Sequence, residues 1–227
     1  VEGEQPVKPY TIVEKEGVKV ALVGTTSNLT PQKSSPANVS GVEFTDSAEQ
    51  VNIEAKKLKE NGEADLVIAL IHDPADTSAA KLNPEYVDFA FGGDDHIRRL
   101  ELTPDGTVPY AQSHEYGKVV TDITFTYDKA EKKLVKVAGQ QIDASQLQTL
   151  GITPDPEVEA IVAEADEKAT ELGQKVVATI DADFKRGSNP GGTPGSNRGT
   201  ESTANNMLAQ SAVAALSAFL DTKIDFG

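Results

Sequence analysis

The sequence predicts a mixed α/β protein, and three features indicate this class. An unbroken apolar run from Leu66 to Ile71 leads into His72, which is typical of a fully buried, parallel strand. A helical pattern over 46–60 precedes this run, and a strand pattern over 18–24 precedes that helix. The three form a strand–helix–strand unit, whose crossover we expect to be right-handed. From residue 98 onward the pattern changes to hairpins, so we expect this later part to be antiparallel.

The individual elements follow from periodicity and turn residues. Asp46 or Ser47 can cap the helix after the loop over 25–40. Its predicted apolar face contains Val51, Ile53, Ala55 and Leu58. The predicted strands cover 10–15, 18–24, 65–72, 87–91, 100–103, 108–112, 119–127, 134–137 and 175–183, with another beginning at 224. The other predicted helices cover 75–81, 155–173 and 207–220.

Composition excludes several classes of function. The chain has 227 residues and a net charge of −15, and this charge argues against binding of nucleic-acid polymers or anionic membranes. Cysteine is absent, so disulfides, zinc–thiolate sites and cysteine nucleophiles are excluded. No apolar run approaches the roughly 20 residues of a membrane span.

Two histidines follow strands that could be neighbours in one parallel sheet. His72 ends the buried strand, and His96 ends the Gly92–Gly93–Asp94–Asp95–His96 loop after the next strand. Open α/β sheets bind ligands beyond the carboxyl ends of their strands. Histidine with aspartate at such ends suits zinc or manganese. Each histidine taken alone is as well explained by a structural role, and the paired glycines by a simple tight turn.

Other catalytic motifs are absent from the sequence. No Gly-x-Ser-x-Gly elbow or His-Glu-x-x-His helix occurs, and no Gly-Lys-Ser/Thr follows the glycines near Gly191. His114 lies in a predicted hairpin, where we expect a structural role at the surface.

The order of these segments resembles the bacterial 5′-nucleotidase family, which includes UDP-sugar hydrolases. The similar segments are the strand pair over 9–24, the loop over 30–44, the strand over 64–72, the Gly-Gly loop over 87–96, the stretch over 112–118 and the segment over 198–208. The resemblance implies a calcineurin-like metallophosphoesterase domain, built as a β-sandwich flanked by helices, and a C-terminal nucleotide-binding domain. It places the second half of the first domain at 1–150, a linker helix at 151–175 and the start of a C-terminal α/β domain at 176–227.

The resemblance also implies a site. His72, Asp94 and His96 would be ligands in a centre of two divalent ions, zinc or manganese. Arg198 would bind the phosphate of a nucleotide, because a forked guanidinium suits phosphate oxygens. By the same resemblance, the protein would be extracellular, in the cell wall or periplasmic.

This chain departs from the family in three ways, and one is that it stops before the stretch and the aromatic pair that would stack the base. The Asp-x-His, Gly-Asp and Gly-Asn-His motifs that supply the other ligands are missing, so we expect a fragment of a longer polypeptide that is inactive alone. Asp94 stands where the family has a ligand histidine. The leading hypothesis is a segment of a metal-dependent enzyme that hydrolyses nucleotide phosphomonoesters. The alternatives are a degenerate, non-catalytic surface binding module and an α/β domain whose histidines are structural.

Overall fold

A computed structural model describes residues 7–147, 149–176, 179, 181, 183 and 202–224. The chain divides into two compact units, Val1–Pro154 and Asp155–Gly227. The strands of the described residues are β1 (Tyr10–Lys15), β2 (Val18–Thr26), β3 (Leu66–His72), β4 (Phe89–Phe91), β5 (Arg99–Glu101), β6 (Tyr110–Gln112), β7 (Val119–Asp128) and β8 (Lys133–Asp143). The α-helices are α1 (Thr30–Lys33), α2 (Ser47–Glu60), α3 (Ala75–Ala79), α4 (Ala144–Leu147), α5 (Pro156–Gly173) and α6 (Thr203–Leu220).

The first unit contains a six-stranded sheet in the order β1-β2-β3-β4-β6-β5 and a separate β7–β8 hairpin. Strands β2, β3, β4 and β6 are parallel, and β1 and β5 run antiparallel at the two edges. The mixed α/β prediction is therefore confirmed. The prediction of a purely antiparallel second half was wrong for β6, which pairs parallel with β4 as well as antiparallel with β5.

Helix α2 covers one face of the sheet. Asp46 caps it by accepting hydrogen bonds from the backbone N–H groups of Ala48 and Glu49, at 3.0 and 3.1 Å. Its fully buried residues Val51, Ala55 and Leu58 pack against the sheet residues Ala21, Val23, Val67, Ala69 and Ile71. Ile53 does not share this face and is half exposed, because two residues along a helix turn a side chain about 200° away.

The β7–β8 hairpin packs on the opposite face. Ile68, Phe89 and Ala111 are buried there against Ile123, Phe125 and Val137 of the hairpin. The rings of Phe89 and Phe125 meet edge to face with centroids 5.3 Å apart. Alternate residues of β3 thus serve two cores, which explains why its apolar run is continuous.

Several elements differ from their predictions. The predicted loop over 25–40 contains α1 and a 3-10 turn at Pro36–Asn38. Strand β8 continues to Asp143, because its pairing with β7 is maintained from Lys133 to that residue. The predicted strand over 175–183 and the one beginning at 224 lie partly outside the described residues.

In the second unit, two helices begin at the expected cap types. The carboxylate of Asp155 accepts hydrogen bonds from the N–H groups of Glu157 and Val158, at 2.9 and 3.2 Å, with Pro156 in the first turn. The Ser202 hydroxyl accepts from the N–H of Asn205 at 3.1 Å. No helix within the described part of the chain is long and apolar enough to cross a membrane.

Candidate functional site

The candidate site lies at the carboxyl edge of the parallel strands. Thr26 at the end of β2 pairs in register with His72 at the end of β3, and β4 runs parallel beside them. Ile71 points into the core and is buried, so the alternation of a strand places His72 on the other face. The His72 side chain is 67% exposed. The prediction that this strand delivers a histidine to the sheet edge therefore agrees with the geometry.

The two glycines after β4 have different physical roles. A Cβ on Gly92 would lie 2.5–2.6 Å from the Cα, Cβ and N atoms of Ala75, so the start of α3 requires glycine there. A Cβ on Gly93 would lie 3.5 Å from Nδ1 of His72, which is an ordinary contact. The N–H of Gly93 donates to the carbonyl of Asp73 at 2.9 Å. Close packing against Ala75 therefore explains why residue 92 is glycine, while Gly93 lies in the part of the loop that is next to His72.

Asp94 is close to His72, but its carboxylate forms an ion pair with Lys33. Its Oδ1 lies 3.9 Å from Nε2 of His72. The ammonium of Lys33 donates to Oδ1 at 2.7 Å and to Oδ2 at 2.5 Å. Lys33 is the last residue of α1, and Ser27 fixes the start of this helix. The Ser27 hydroxyl accepts a hydrogen bond from the N–H of Leu29, and the Ser27 carbonyl accepts one from the hydroxyl of Thr30.

Asp95 points away from this pair and fixes the loop. The guanidinium of Arg99 donates to both of its oxygens, at 2.8 and 2.7 Å. The amide of Gln112, which is fully buried, also donates to Asp95 and accepts from the N–H of Ala75 at 2.9 Å. The hydrogen bonds from Arg99, reinforced by Gln112, lower the pKa of Asp95 to about 2.

His96 faces a different partner. Its Nδ1 lies 2.7 Å from Oε2 of Glu115, and its ring meets Tyr116 edge to face with centroids 5.4 Å apart. Lys118, 2.5 Å from the same carboxylate, lowers the pKa of Glu115, and His96 and His114 contribute to the same effect. Both Asp94 and His96 have positive φ angles, of 71° and 60°. This backbone sends their side chains to separate partners.

The structure thus brings together two of the predicted ligands, His72 and Asp94, and gives His96 another partner. Arg198 lies outside the described residues. Among the described residues, no three His, Asp or Glu side chains form a group that could hold a metal ion. The donor set in this part of the chain does not fit a two-metal centre, because two donors are too few and one of them is neutralised by Lys33.

Sequence reasoning missed Lys33, Arg99 and Glu115 as partners of the site. Lys33 and Asp94 are 61 residues apart in the chain, and no local pattern signals such a pair. For Arg99 the available signal was Asp95, an acid four residues earlier. For Glu115 it was Lys118, a base three residues later; both spacings allow ion pairs.

Comparisons with known proteins agree with this architecture. No protein-family profile matches the chain. It is 28% identical over 201 residues to Endonuclease YhcR of Bacillus subtilis, covering 85% of this chain and 16% of the relative. It is 30% identical over 193 residues to a 5′-nucleotidase of Diplobatis ommata, covering 75% of this chain and 31% of the relative. The chain therefore spans less than a third of either relative.

Among solved structures, the calcineurin-like phosphoesterase YfkN from Bacillus subtilis superposes with a TM-score of 0.60 at 22% identity. The match covers 76% of this chain and 61% of that one. The sheet and this likeness define a fold of the calcineurin-like phosphoesterase type. The names of further relatives, UshA and 5′-nucleotidase, indicate the family within this fold class. The chain belongs to the 5′-nucleotidase/metallophosphoesterase family. The family resemblance of the sequence is confirmed.

Proposed function

We propose that this chain is part of a phosphoesterase that hydrolyses nucleotide phosphomonoesters. The observation that carries the proposal is the exposed His72, which stands at the carboxyl edge of a parallel sheet, 3.9 Å from Asp94 of the neighbouring loop. Membership of the 5′-nucleotidase/metallophosphoesterase family supports phosphate esters as the substrate class.

His72 lies where a phosphate group could reach it. A surface pocket of about 280 Å³ is lined by His72 together with Thr25, Leu70, Ile71, Phe91, Gly92 and Gly93. An imidazole with a proton on Nε2 can donate a hydrogen bond to a phosphoryl oxygen. Such local donors matter in a chain of net charge −15, because its overall field repels phosphate. The role that we assign to His72 is to bind and orient the phosphoryl group.

A metal-dependent reaction needs ligands beyond His72 and Asp94. We propose that polypeptide outside these 227 residues supplies them, together with further nucleotide contacts. The small share of the relatives that the chain spans supports this division. On this proposal, the 227-residue chain does not hydrolyse nucleotides by itself.

The test measures phosphate release from AMP in the presence of manganese or zinc. The 227-residue chain and a longer chain that includes its native upstream sequence are compared. We expect release only from the longer chain, and a loss of about 100-fold or more in its His72→Ala variant. His114→Ala is the matched control, since this exposed histidine lies in the loop between β6 and β7, not in the predicted hairpin, and accepts a local hydrogen bond from the N–H of Glu115. Robust turnover by the 227-residue chain would contradict the proposal that ligands come from elsewhere.

One observation favours a second candidate, a non-catalytic binding module. The Lys33–Asp94 ion pair neutralises a carboxylate that a metal-dependent enzyme would need. A binding module would bind AMP with a measurable heat in calorimetry, and the longer chain would release no phosphate. The enzyme would release phosphate under the same conditions.

Substrate size and location are further parts of the proposal. One relative is named an endonuclease, whereas the charge of this chain disfavours polymers. Adding a single-stranded oligonucleotide to the AMP assay tests this, and we expect the longer chain to leave the polymer intact. We also propose an extracellular, cell-wall or periplasmic location, which the family resemblance implies. Fractionation of cells that produce the native protein checks this, with detection in the cytoplasm as the contradicting result.

A further inference from the structure

The ammonium of Lys33 lies where a cation would bind Asp94. It contacts both oxygens of this carboxylate, at 2.7 and 2.5 Å, and Oδ1 is also the atom that faces Nε2 of His72. We infer that Lys33 takes the place of a divalent cation at Asp94 and so weakens divalent-cation binding by the His72–Asp94 pair. The inference rests on the proposed function only in treating this pair as part of an ion-binding edge.

Charge explains the effect. The Asp94 carboxylate and the Lys33 ammonium together carry no net charge, and a neutral imidazole at His72 adds none. A divalent ion bound between His72 and Asp94 would lie within a few ångströms of the ammonium, and like charges so close together repel strongly. The ion must therefore displace the ammonium or bind beside it, and either route costs affinity.

The position of Lys33 is built into the fold. Ser27 is buried and holds the first turn of α1 through the backbone of Leu29 and the hydroxyl of Thr30. Lys33 is the basic residue of the last turn of this helix. Its side chain is 49% exposed, so the ammonium can leave Asp94 without unfolding the loop. The relative affinities of the ammonium and of a divalent ion for Asp94 therefore decide which of the two binds this carboxylate.

The experiment titrates each protein with manganese chloride alone and follows free Mn²⁺ by electron paramagnetic resonance. We expect Lys33→Met to bind one Mn²⁺ about tenfold or more tightly than the unmodified chain. Lys33→Arg keeps the positive charge and should show no gain. Lys168→Met is the matched control, because it removes the same charge from a lysine that lies 2.6 Å from Glu164 in the second unit. The double variant Lys33→Met/His72→Ala should lose the gain.

Each other result overturns the inference. Equal affinity of Lys33→Met and the unmodified chain shows that the ammonium does not compete. Equal gains in Lys33→Met and Lys168→Met show a general effect of net charge. A gain that survives removal of His72 places the ion elsewhere. This experiment measures Mn²⁺ affinity and not hydrolysis. If Lys33→Met gains no affinity, the AMP assay can still show phosphoester hydrolysis, and a chain that does not hydrolyse AMP can still gain affinity for Mn²⁺.

Discussion

Asp95 is the residue that holds the loop after β4 in its observed shape. It accepts two hydrogen bonds from Arg99 and one from the buried amide of Gln112, and its Oδ1 also accepts from the N–H of Ile97 at 3.3 Å. Arg99 in turn lies 3.2 Å from Asp76 at the start of α3. The loop that carries Asp94 and His96 is therefore oriented by the residue between them.

This network makes the stability of the chain depend on pH. The pKa of Asp95 falls from an ordinary 3.8 to about 2 in the folded state, chiefly through the hydrogen bonds from Arg99. Because the folded pKa is the lower one, the stabilisation is present above pH 4 and is lost as the pH falls towards about 2. We expect Asp95→Asn to lower the free energy of unfolding by about 1–2 kcal/mol at pH 7, after allowance for solvent screening.

Urea denaturation between pH 7 and pH 2 measures this difference. The gap between Asp95→Asn and the unmodified chain should close as the pH approaches 2. Asp143→Asn is the control, because its bond with Arg98 joins two side chains that are each nearly half exposed and should contribute less than about 1 kcal/mol. A constant gap at all pH values would show that the carboxylate charge is not the cause.

The residues of the site were predictable only where local sequence determines them. His72 was found because an unbroken apolar run must end where its strand leaves the core. The partners of Asp94 and His96 were not found, because positive φ angles at both residues redirect their side chains towards Lys33 and Glu115. Neither the backbone angles nor contacts over 61 residues follow from local periodicity.

At the scale of elements, the contact between β4 and α3 depends on Gly92. We expect Gly92→Ala to lower the free energy of unfolding by about 1–3 kcal/mol, because its Cβ would overlap the backbone of Ala75. Gly93→Ala is the matched variant, and we expect a change below about 1 kcal/mol since its Cβ meets His72 at 3.5 Å. Thermal or urea unfolding measures both, and equal losses would contradict the assignment.

The packing of α2 on the sheet gives a second prediction at this scale. Leu58 is fully buried, so Leu58→Ala should cost about 2–5 kcal/mol in the free energy of unfolding. Ile53 is 51% exposed on the same helix, so Ile53→Ala should change it by less than about 1 kcal/mol. Urea denaturation of the two variants tests which face of α2 is buried, and a larger loss for Ile53 would reverse the assignment.

Elements were predictable where one pattern decided them. Strand β3 and helix α2 have a continuous apolar run and a capped amphipathic pattern, and both were found close to their observed limits. Strand β6 has only three residues, and its parallel neighbour β4 lies about twenty residues away in the chain. A hairpin turn signals the pairing with β5 but carries no information about a partner on the other side.

At the scale of the whole molecule, the buried apolar residues lie in one part of the chain. Those of the described residues run from Val18 to Val119, all within the first unit. Helices α5 and α6 bury none of their described residues, and Val158, Ile161, Leu208 and Phe219 are largely exposed. Since burial of apolar area is the main source of stability, the first unit has what it needs to fold.

We therefore propose that the first unit folds independently of the residues after Pro154, and we predict the result of ending the chain there. A chain that ends at Pro154 should unfold at the same urea midpoint as the 227-residue chain. Its free energy of unfolding should agree within about 0.5 kcal/mol, because no described core side chain is removed. The complementary segment 155–227 should show weak helicity by circular dichroism, since isolated helices of this length are marginal in water. A large drop in the midpoint of the shortened chain would mean that the second unit stabilises the sheet that carries His72.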